Sequence, residues 1–315
     1  LTKVVVTGGA GFIGSNLAAE LLKSFKVTII DDLSTGRLEN LEDILDRVEF
    51  TRGSVTDLDL LREAFVGAEA IFHQGAVPSV QRSVDNPLAT NHANLDGTLN
   101  VLVAARDCGA RKVIYASSSS VYGDTPTLPK REDMTPNPQS PYAVSKLAGE
   151  YYAQVFSELY GLETVSLRYF NVFGPRQDPG SDYAAVIPRF ISRILQEKPP
   201  VIFGDGEQTR DFTFVKDVVA ANILAMEGDV QGVFNIACGQ RISLNELADR
   251  IMAISGMSLR PVYDAPRPGD IRDSLADISA ARKRLGYRPE YDLQRGLEET
   301  VRWFSERLTP DGGKS

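Results

Sequence analysis

The hydrophobic positions of this chain alternate between two periods from the amino end onward. Residues 3–6 are a short β-branched run, glycines follow at once, and an amphipathic stretch then covers 12–22. The next apolar run, 27–30, stops at Asp31, and further runs of strand type occupy 48–51, 70–72, 112–116 and 163–167. Between them the spacing predicts helices over 58–65, 95–107 and 142–160. Strands apolar on both sides and separated by helices bury both faces of a parallel sheet. The expected fold class is therefore α/β, a Rossmann-type doubly wound sheet occupying residues 1–170.

Beyond about residue 170 the rhythm shortens and Pro and Gly become frequent, as in Phe173-Gly-Pro, Gln177-Asp-Pro-Gly and Gly204-Asp-Gly. Helical patterns near 188–197, 216–227, 243–254 and 293–307 alternate there with short strands such as 233–236. These predict a smaller α/β substrate-binding region over 171–308, with the polar, Gly-rich 309–315 as a disordered tail. No flexible linker and no internal repeat separates the two regions.

Composition narrows the partners. A formal net charge of -8 sets a repulsive long-range field against nucleic acid and anionic membranes, so neither is expected. Two cysteines, Cys108 and Cys238, cannot build a disulfide framework, and two histidines cannot build a His-rich metal site. No apolar run reaches the ~18 residues of a membrane span, and the amino end enters a strand pattern directly, so a cytoplasmic protein is expected.

Between the first strand and the first helix stands Thr7-Gly-Gly-Ala-Gly-Phe-Ile-Gly, which spaces Gly8, Gly11 and Gly14 three apart. Such a turn needs positive φ, close approach to a pyrophosphate, and tight helix–strand packing, all of which glycine permits. The helix N-terminus then offers N–H donors to phosphates. Asp31 closes the second strand 20 residues beyond Gly11. A carboxylate there accepts ribose hydroxyls and repels a 2′-phosphate, so NAD is expected over NADP, and Asp32 adds to that bias.

Tyr142 and Lys146, four apart at a helix start, leave the same face. An ammonium beside a phenol favours phenolate, and bringing tyrosine from ~10 to ~7 takes about 4 kcal/mol. Lys146 together with a positive nicotinamide is expected to supply it, making Tyr142 a general base. This spacing alone describes many surface pairs. It gains weight from Ser117-Ser-Ser-Ser-Val-Tyr-Gly, at the carboxyl end of a parallel strand, where doubly wound sheets place their chemistry.

Together these motifs resemble the extended short-chain dehydrogenase/reductase family over about residues 3–305. The resemblance implies a catalytic Ser118, Tyr142 and Lys146, and a cofactor-binding Asn94 in Asn94-Leu-Asp-Gly-Thr. It also implies NAD contacts from Phe12, Ile13, Ser54, Val55, Gln74, Ala76 and Tyr169. Gly53-Ser54 stands where many relatives carry Gly-Asp, and Pro78 where some carry a lysine.

The second half is similar to the UDP-sugar 4-epimerases. Leu167-Arg-Tyr-Phe-Asn implies nucleotide-sugar binding by Asn171, Gln208-Thr-Arg-Asp-Phe a phosphate-binding Arg210, and Pro266-Arg-Pro-Gly-Asp a pair at Arg267 and Asp270. Ser79, Val80, Ser119, Ser120, Val186 and Phe203 complete the implied sugar-nucleotide pocket. Dehydrating relatives carry Asp-Glu where this chain has Ser119 and Ser120, which leaves simple epimerisation. Relatives restricted to plain hexoses carry a bulky Tyr where this chain has Ser274, so an N-acetyl group is expected to fit. The resemblance thus points nearest to the UDP-N-acetylglucosamine 4-epimerases, with UDP-glucuronate epimerases and net-redox enzymes of the same triad as alternatives. It also implies a homodimer formed through helices near 95–108 and 142–160.

Overall fold

A computed structural model describes residues 1–180, 184–266 and 271–308. Its main sheet has six strands in the first half of the chain: β1 (Lys3–Thr7), β2 (Lys26–Asp31), β3 (Glu49–Arg52), β4 (Ala68–His73), β5 (Lys112–Ser118) and β6 (Glu163–Tyr169). The strand Gly232–Ile236 is the seventh and lies outside β6. All pairings are parallel, and the order runs Gly232–Ile236, β6, β5, β4, β1, β2, β3. Strand order therefore reverses between β1 and β4, the crevice where such sheets bind ligands.

The apolar runs explain the layering. Along β1, Val4 and Val6 enter one core while Val5 enters the other, so both faces of the strand are buried. One face is covered by α1 (Phe12–Leu21) and α8 (Val215–Glu227), which pack together. The other carries α2 (Leu58–Phe65), α5 (Gly97–Asp107) and α6 (Pro141–Tyr160).

Helix α6 has well-formed ends. Ser140 caps it by accepting from the Ala143 N–H at 3.1 Å, Pro141 opens it, and Gly161 closes it at φ 70°. Before α5, residues His92–Asp96 form one wider, π-type turn, so the single helix expected over 95–107 starts at Gly97 instead. The segments α3 (Val80–Asp85) and α4 (Pro87–Asn91) were not expected from periodicity, being too short to show one.

The second region has its own apolar cluster, built from α7 (Val186–Leu195), α9 (Leu244–Ser255) and α10 (Leu293–Leu308). Its strands are brief pairings: Val172–Phe173 with Thr213–Phe214, Thr209–Arg210 with Ile242–Ser243, and Val201–Phe203 with Val262–Asp264. The strand 233–236 and the helix 216–227, expected here, instead extend the main sheet and cover it. Pairing to β6 is a non-local contact that local patterning does not reveal.

Candidate active site

A cavity of about 490 Å³ opens at the carboxyl ends of β1, β2, β4 and β5. Its floor is the glycine turn. Gly8 has φ 68°, and a Cβ there would sit 2.6 Å from the Gly75 backbone. A Cβ on Gly14 would strike the Gly8 carbonyl, so the helix reaches the strand only because both residues lack side chains. The first turn of α1 has no side-chain cap and no acidic residue. Gly11, Phe12, Ile13 and Gly14 line the cavity, offering backbone donors and the positive helix end to a phosphate.

Asp31 and Asp32 stand on the rim. Asp31 accepts from the Ala10 N–H at 2.9 Å and the Leu33 N–H at 2.8 Å. Burial raises its pKa, and those two donors oppose the rise. Each oxygen keeps a further acceptor site for a ribose hydroxyl. Ser54, Val55, Gln74, Ala76, Ser79 and Tyr169 also line this cavity. Ser54 shares a 2.9 Å hydrogen bond with Thr56, and Gln74 is held by Tyr169 and Asn222, each at 3.1 Å. Asn94 is placed differently: it is buried beside the cavity and clasps Val77 in both directions. Val80 begins α3 and is exposed.

Tyr142 and Lys146 meet at the inner end. Lys146 Nζ donates to the Ala116 carbonyl at 2.8 Å and lies 5.8 Å from the Tyr142 ring centre. Burial lowers the lysine to about 8. Tyr142 is raised, because burial outweighs its hydrogen bond with Ser118. In the chain without a bound cofactor, desolvation of both groups outweighs any pull of Lys146 on Tyr142; the expected lowering belongs to Lys146 together with a positive nicotinamide. Ser118 Oγ already accepts from the Ser120 N–H at 3.2 Å, which leaves its own proton to donate. Ser119 is half-buried, and the buried Ser120 Oγ has no protein partner among the described residues.

A second cavity, about 270 Å³, is lined by Asn171, Val186, Phe203 and Arg210. It shares Ala184 and Ala185 with the first, so the two form neighbouring chambers. Arg189 stacks 5.1 Å over Phe203. Ser274 is 2% exposed, and its Oγ accepts from Asn171 Nδ2 at 3.4 Å. Arg267 and Asp270 lie outside the described residues. Backbone strain concentrates here: Ser79 (φ 90°) and Arg176 (φ 72°) border the first cavity, and Asn171 (φ 35°) the second.

Sequence reasoning passed over several residues. Gln177 lines the first cavity with a buried Oε1 that lacks a partner among the described residues, while its Nε2 donates to Val172 O at 3.2 Å. Glu150, one turn beyond Lys146, is buried against Arg168 at 2.7 Å and also accepts from Ser117. Its i, i+4 spacing from Lys146 was the available signal. Arg37 also lines the first cavity, with no motif to mark it, as does Arg176, which opens a stretch similar to the UDP-N-acetylhexosamine epimerases but was given no role of its own.

A doubly wound sheet with a glycine turn at its switch point and a Ser, Tyr and Lys facing that turn defines a dinucleotide-dependent enzyme of the short-chain dehydrogenase/reductase type. The model of the NAD dependent epimerase/dehydratase family matches residues 4–237. The chain belongs to that family, and its cofactor is NAD. It is 42% identical over 312 residues to a UDP-glucose 4-epimerase of Mycolicibacterium smegmatis, covering 97% of this chain and 99% of that one. A UDP-glucuronate 4-epimerase of Thermodesulfobacterium geofontis is 34% identical, covering 96% of each chain. Among solved structures, a UDP-N-acetylglucosamine 4-epimerase from Methanobrevibacter ruminantium M1, in complex with UDP-N-acetylmuramic acid, superposes with a TM-score of 0.95 at 45% identity. That match covers 98% of this chain and 99% of that one.

Proposed function

We propose that this chain inverts C4 of UDP-N-acetylglucosamine and UDP-N-acetylgalactosamine, and accepts UDP-glucose and UDP-galactose as well. The relatives support 4-epimerisation of a UDP-hexose. The observation that carries the acetylated sugar is Ser274, a small buried residue that stands behind the second chamber and accepts from Asn171, which lines it. A hydroxymethyl group leaves room there that a phenol ring would fill.

The residues divide the work. Ser118, whose oxygen is already occupied by the Ser120 N–H, donates its proton to the C4 oxygen and orients it. Tyr142 accepts the C4 hydroxyl proton and gives it back after the sugar has turned. Lys146, anchored on Ala116 O, holds a positive charge at the ribose side of the site. Gly8, Gly11, Gly14 and Asp31 would hold NAD, which would supply a reversible hydride acceptor for C4 and a positive ring beside the tyrosine. That added charge opposes the burial that raises Tyr142 in the chain alone. Asn171, Phe203, Arg210, Arg267 and Asp270 hold the UDP portion while the hexose rotates. The cradle suits a dinucleotide because a Cβ on Gly8 or Gly14 would meet protein backbone, so only glycine there lets the uncapped N-terminus of α1 come close enough to the strand to face the cavity.

A second copy of the chain is the proposed partner. Helix α6 exposes Val144, Tyr151, Val155 and Leu159, and Val84 and Leu88 lie exposed on the adjoining α3 and α4, which pack beside it. Tyrosine-rich apolar faces of this kind suit a symmetric interface. α5, the other helix of the expected contact, packs against α2 and α6 within the chain.

Incubation with UDP-N-acetylglucosamine, followed by NMR of the anomeric protons, tests the assignment. Growth of UDP-N-acetylgalactosamine to a constant ratio is expected. Turnover of UDP-glucose alone would sink the part assigned to Ser274.

A further inference from the structure

Five buried polar residues join the floor of the cofactor chamber to the helix of Tyr142, and the direction of each of their hydrogen bonds can be worked out. Thr7, His73, Asn94, Thr98 and Ser145 are all at most 2% exposed. Thr98 Oγ1 lies against the Asn94 carbonyl, which can only accept, so the Thr98 proton is committed there. His73 Nε2, 2.9 Å from the same oxygen, must therefore be the donor. A neutral imidazole with Nε2–H has a bare Nδ1, so the Thr7 hydroxyl, 2.8 Å away, donates to it. Thr7 Oγ1 keeps a lone pair for the Gly75 N–H at 3.3 Å.

The far end continues through the Asn94 side chain. Asn94 Oδ1 accepts from Val77 N at 2.7 Å, which fixes the orientation of its amide. Its Nδ2 then donates to Ser145 Oγ at 3.2 Å, and Ser145 donates to the Tyr142 carbonyl at 2.8 Å. Thr7 directly precedes Gly8, while Gly75 and Val77 line the first cavity. Ser145 sits between Tyr142 and Lys146.

We infer that His73, held as the neutral Nε2–H tautomer, is the central positioning residue of a spine that sets the Tyr142 helix against the glycine turn. The role rests on the proposed epimerase reaction, in which a proton leaves the C4 hydroxyl oxygen while hydride leaves C4 itself, and the two transfers must be aligned together. The surroundings favour the neutral ring: the buried site disfavours a charge on His73, and the nearby Lys146 ammonium adds to that. A second ring proton would face Thr7 Oγ1, displacing the hydroxyl hydrogen from its acceptor.

Two measurements test this. The chain has two histidines, so His92→Gln leaves His73 as the single imidazole for nitrogen-detected NMR. A protonated Nε2 and bare Nδ1 at neutral pH are expected, and an Nδ1–H tautomer would overturn the spine. Thr98→Val keeps shape but removes the hydroxyl. It should lower kcat about 10- to 100-fold with KM for the UDP-sugar within about twofold, shift the Tyr142 ring-carbon resonance, and be rescued by Thr98→Ser. Lowered thermal stability with kcat and the Tyr142 resonance unmoved would reduce the network to scaffolding and overturn the positioning role. The two NMR readouts need no turnover, so failure of the epimerase reading is separable from failure of the spine.

Discussion

The two chambers are built by opposite means. The cofactor chamber stands on seven parallel strands, with backbone packed so closely at Gly8 and Gly14 that no side chain fits. The substrate chamber is assembled from loops tied by pairings two or three residues long. A cofactor that must return the hydride it took benefits from a rigid seat. A sugar that must present both faces cannot be gripped that way, and binding falls to groups around it. The contrast is one of preorganisation at one end and freedom at the other.

The strongest way to break this comparison is at the point where the chambers meet. Tyr142→Phe removes the proton acceptor and leaves the ring, so kcat should fall by about 10²–10⁴-fold while NAD stays bound. Steady-state turnover with measured NAD content checks this. Near-normal rates would move the chemistry away from α6.

Ser274→Tyr sharpens the looser end. Its ring has to displace space beside Asn171, so turnover of acetylated sugars should drop about 10- to 200-fold while that of UDP-glucose persists. Equal losses on both sugars would mean that the substitution damages the Asn171 loop rather than selecting at the acetyl group.

How much of this contrast could be read beforehand follows the same division. Gly8, Gly11, Gly14, Asp31, Tyr142 and Lys146 were legible because local backbone geometry or helical spacing demands those residue types in place. The membership of Gly232–Ile236 in the main sheet was not, since it depends on pairing with β6 more than sixty residues earlier in the sequence. His73 carried no motif, and Thr98 closed the Asn94-Leu-Asp-Gly-Thr run without a role of its own, because their partnership is fixed only when β4 and α5 pack. The direction in which Tyr142 shifts in the cofactor-free chain was not legible for a third reason: spacing gives proximity to Lys146, whereas burial decides the sign there.

That burial makes Lys146 costly to the chain alone, which is a prediction about stability. Its folded value near 8, against an ordinary 10.5, means that the charged form is disfavoured inside. The gap corresponds to ~3 kcal/mol. A lowered lysine gives full stability only above the unfolded value, and that stability is lost as pH falls through the folded value. Lys146→Met should therefore abolish turnover yet make the NAD-free protein more stable. The gain should be greatest below about pH 8 and vanish above about pH 10.5. Denaturant midpoints across that range decide it, and a destabilised variant at neutral pH would show that the bond to Ala116 outweighs desolvation.

The smallest effect concerns how the looser region closes over the rigid one. Arg37, on the cofactor side, pairs with Asp178 of the second region at 2.8 Å, and both line the first cavity. Next to it Asn16 donates to Pro175 O at 3.1 Å and Arg176 to Ser15 O at 2.8 Å, so the segment is fastened to α1 as well. The ion pair is partly solvated, with 56% and 34% of the two side chains exposed, so its contribution is small and screened by salt. Arg37→Ala should speed NAD release by about fivefold at most at low ionic strength, and Asp178→Ala by a similar factor, the double variant adding little to either. High salt should bring wild type and variants together. Acceleration by Arg37→Ala with none by Asp178→Ala would instead make Arg37 a direct ligand of the dinucleotide, and retention would then belong wholly to the rigid chamber.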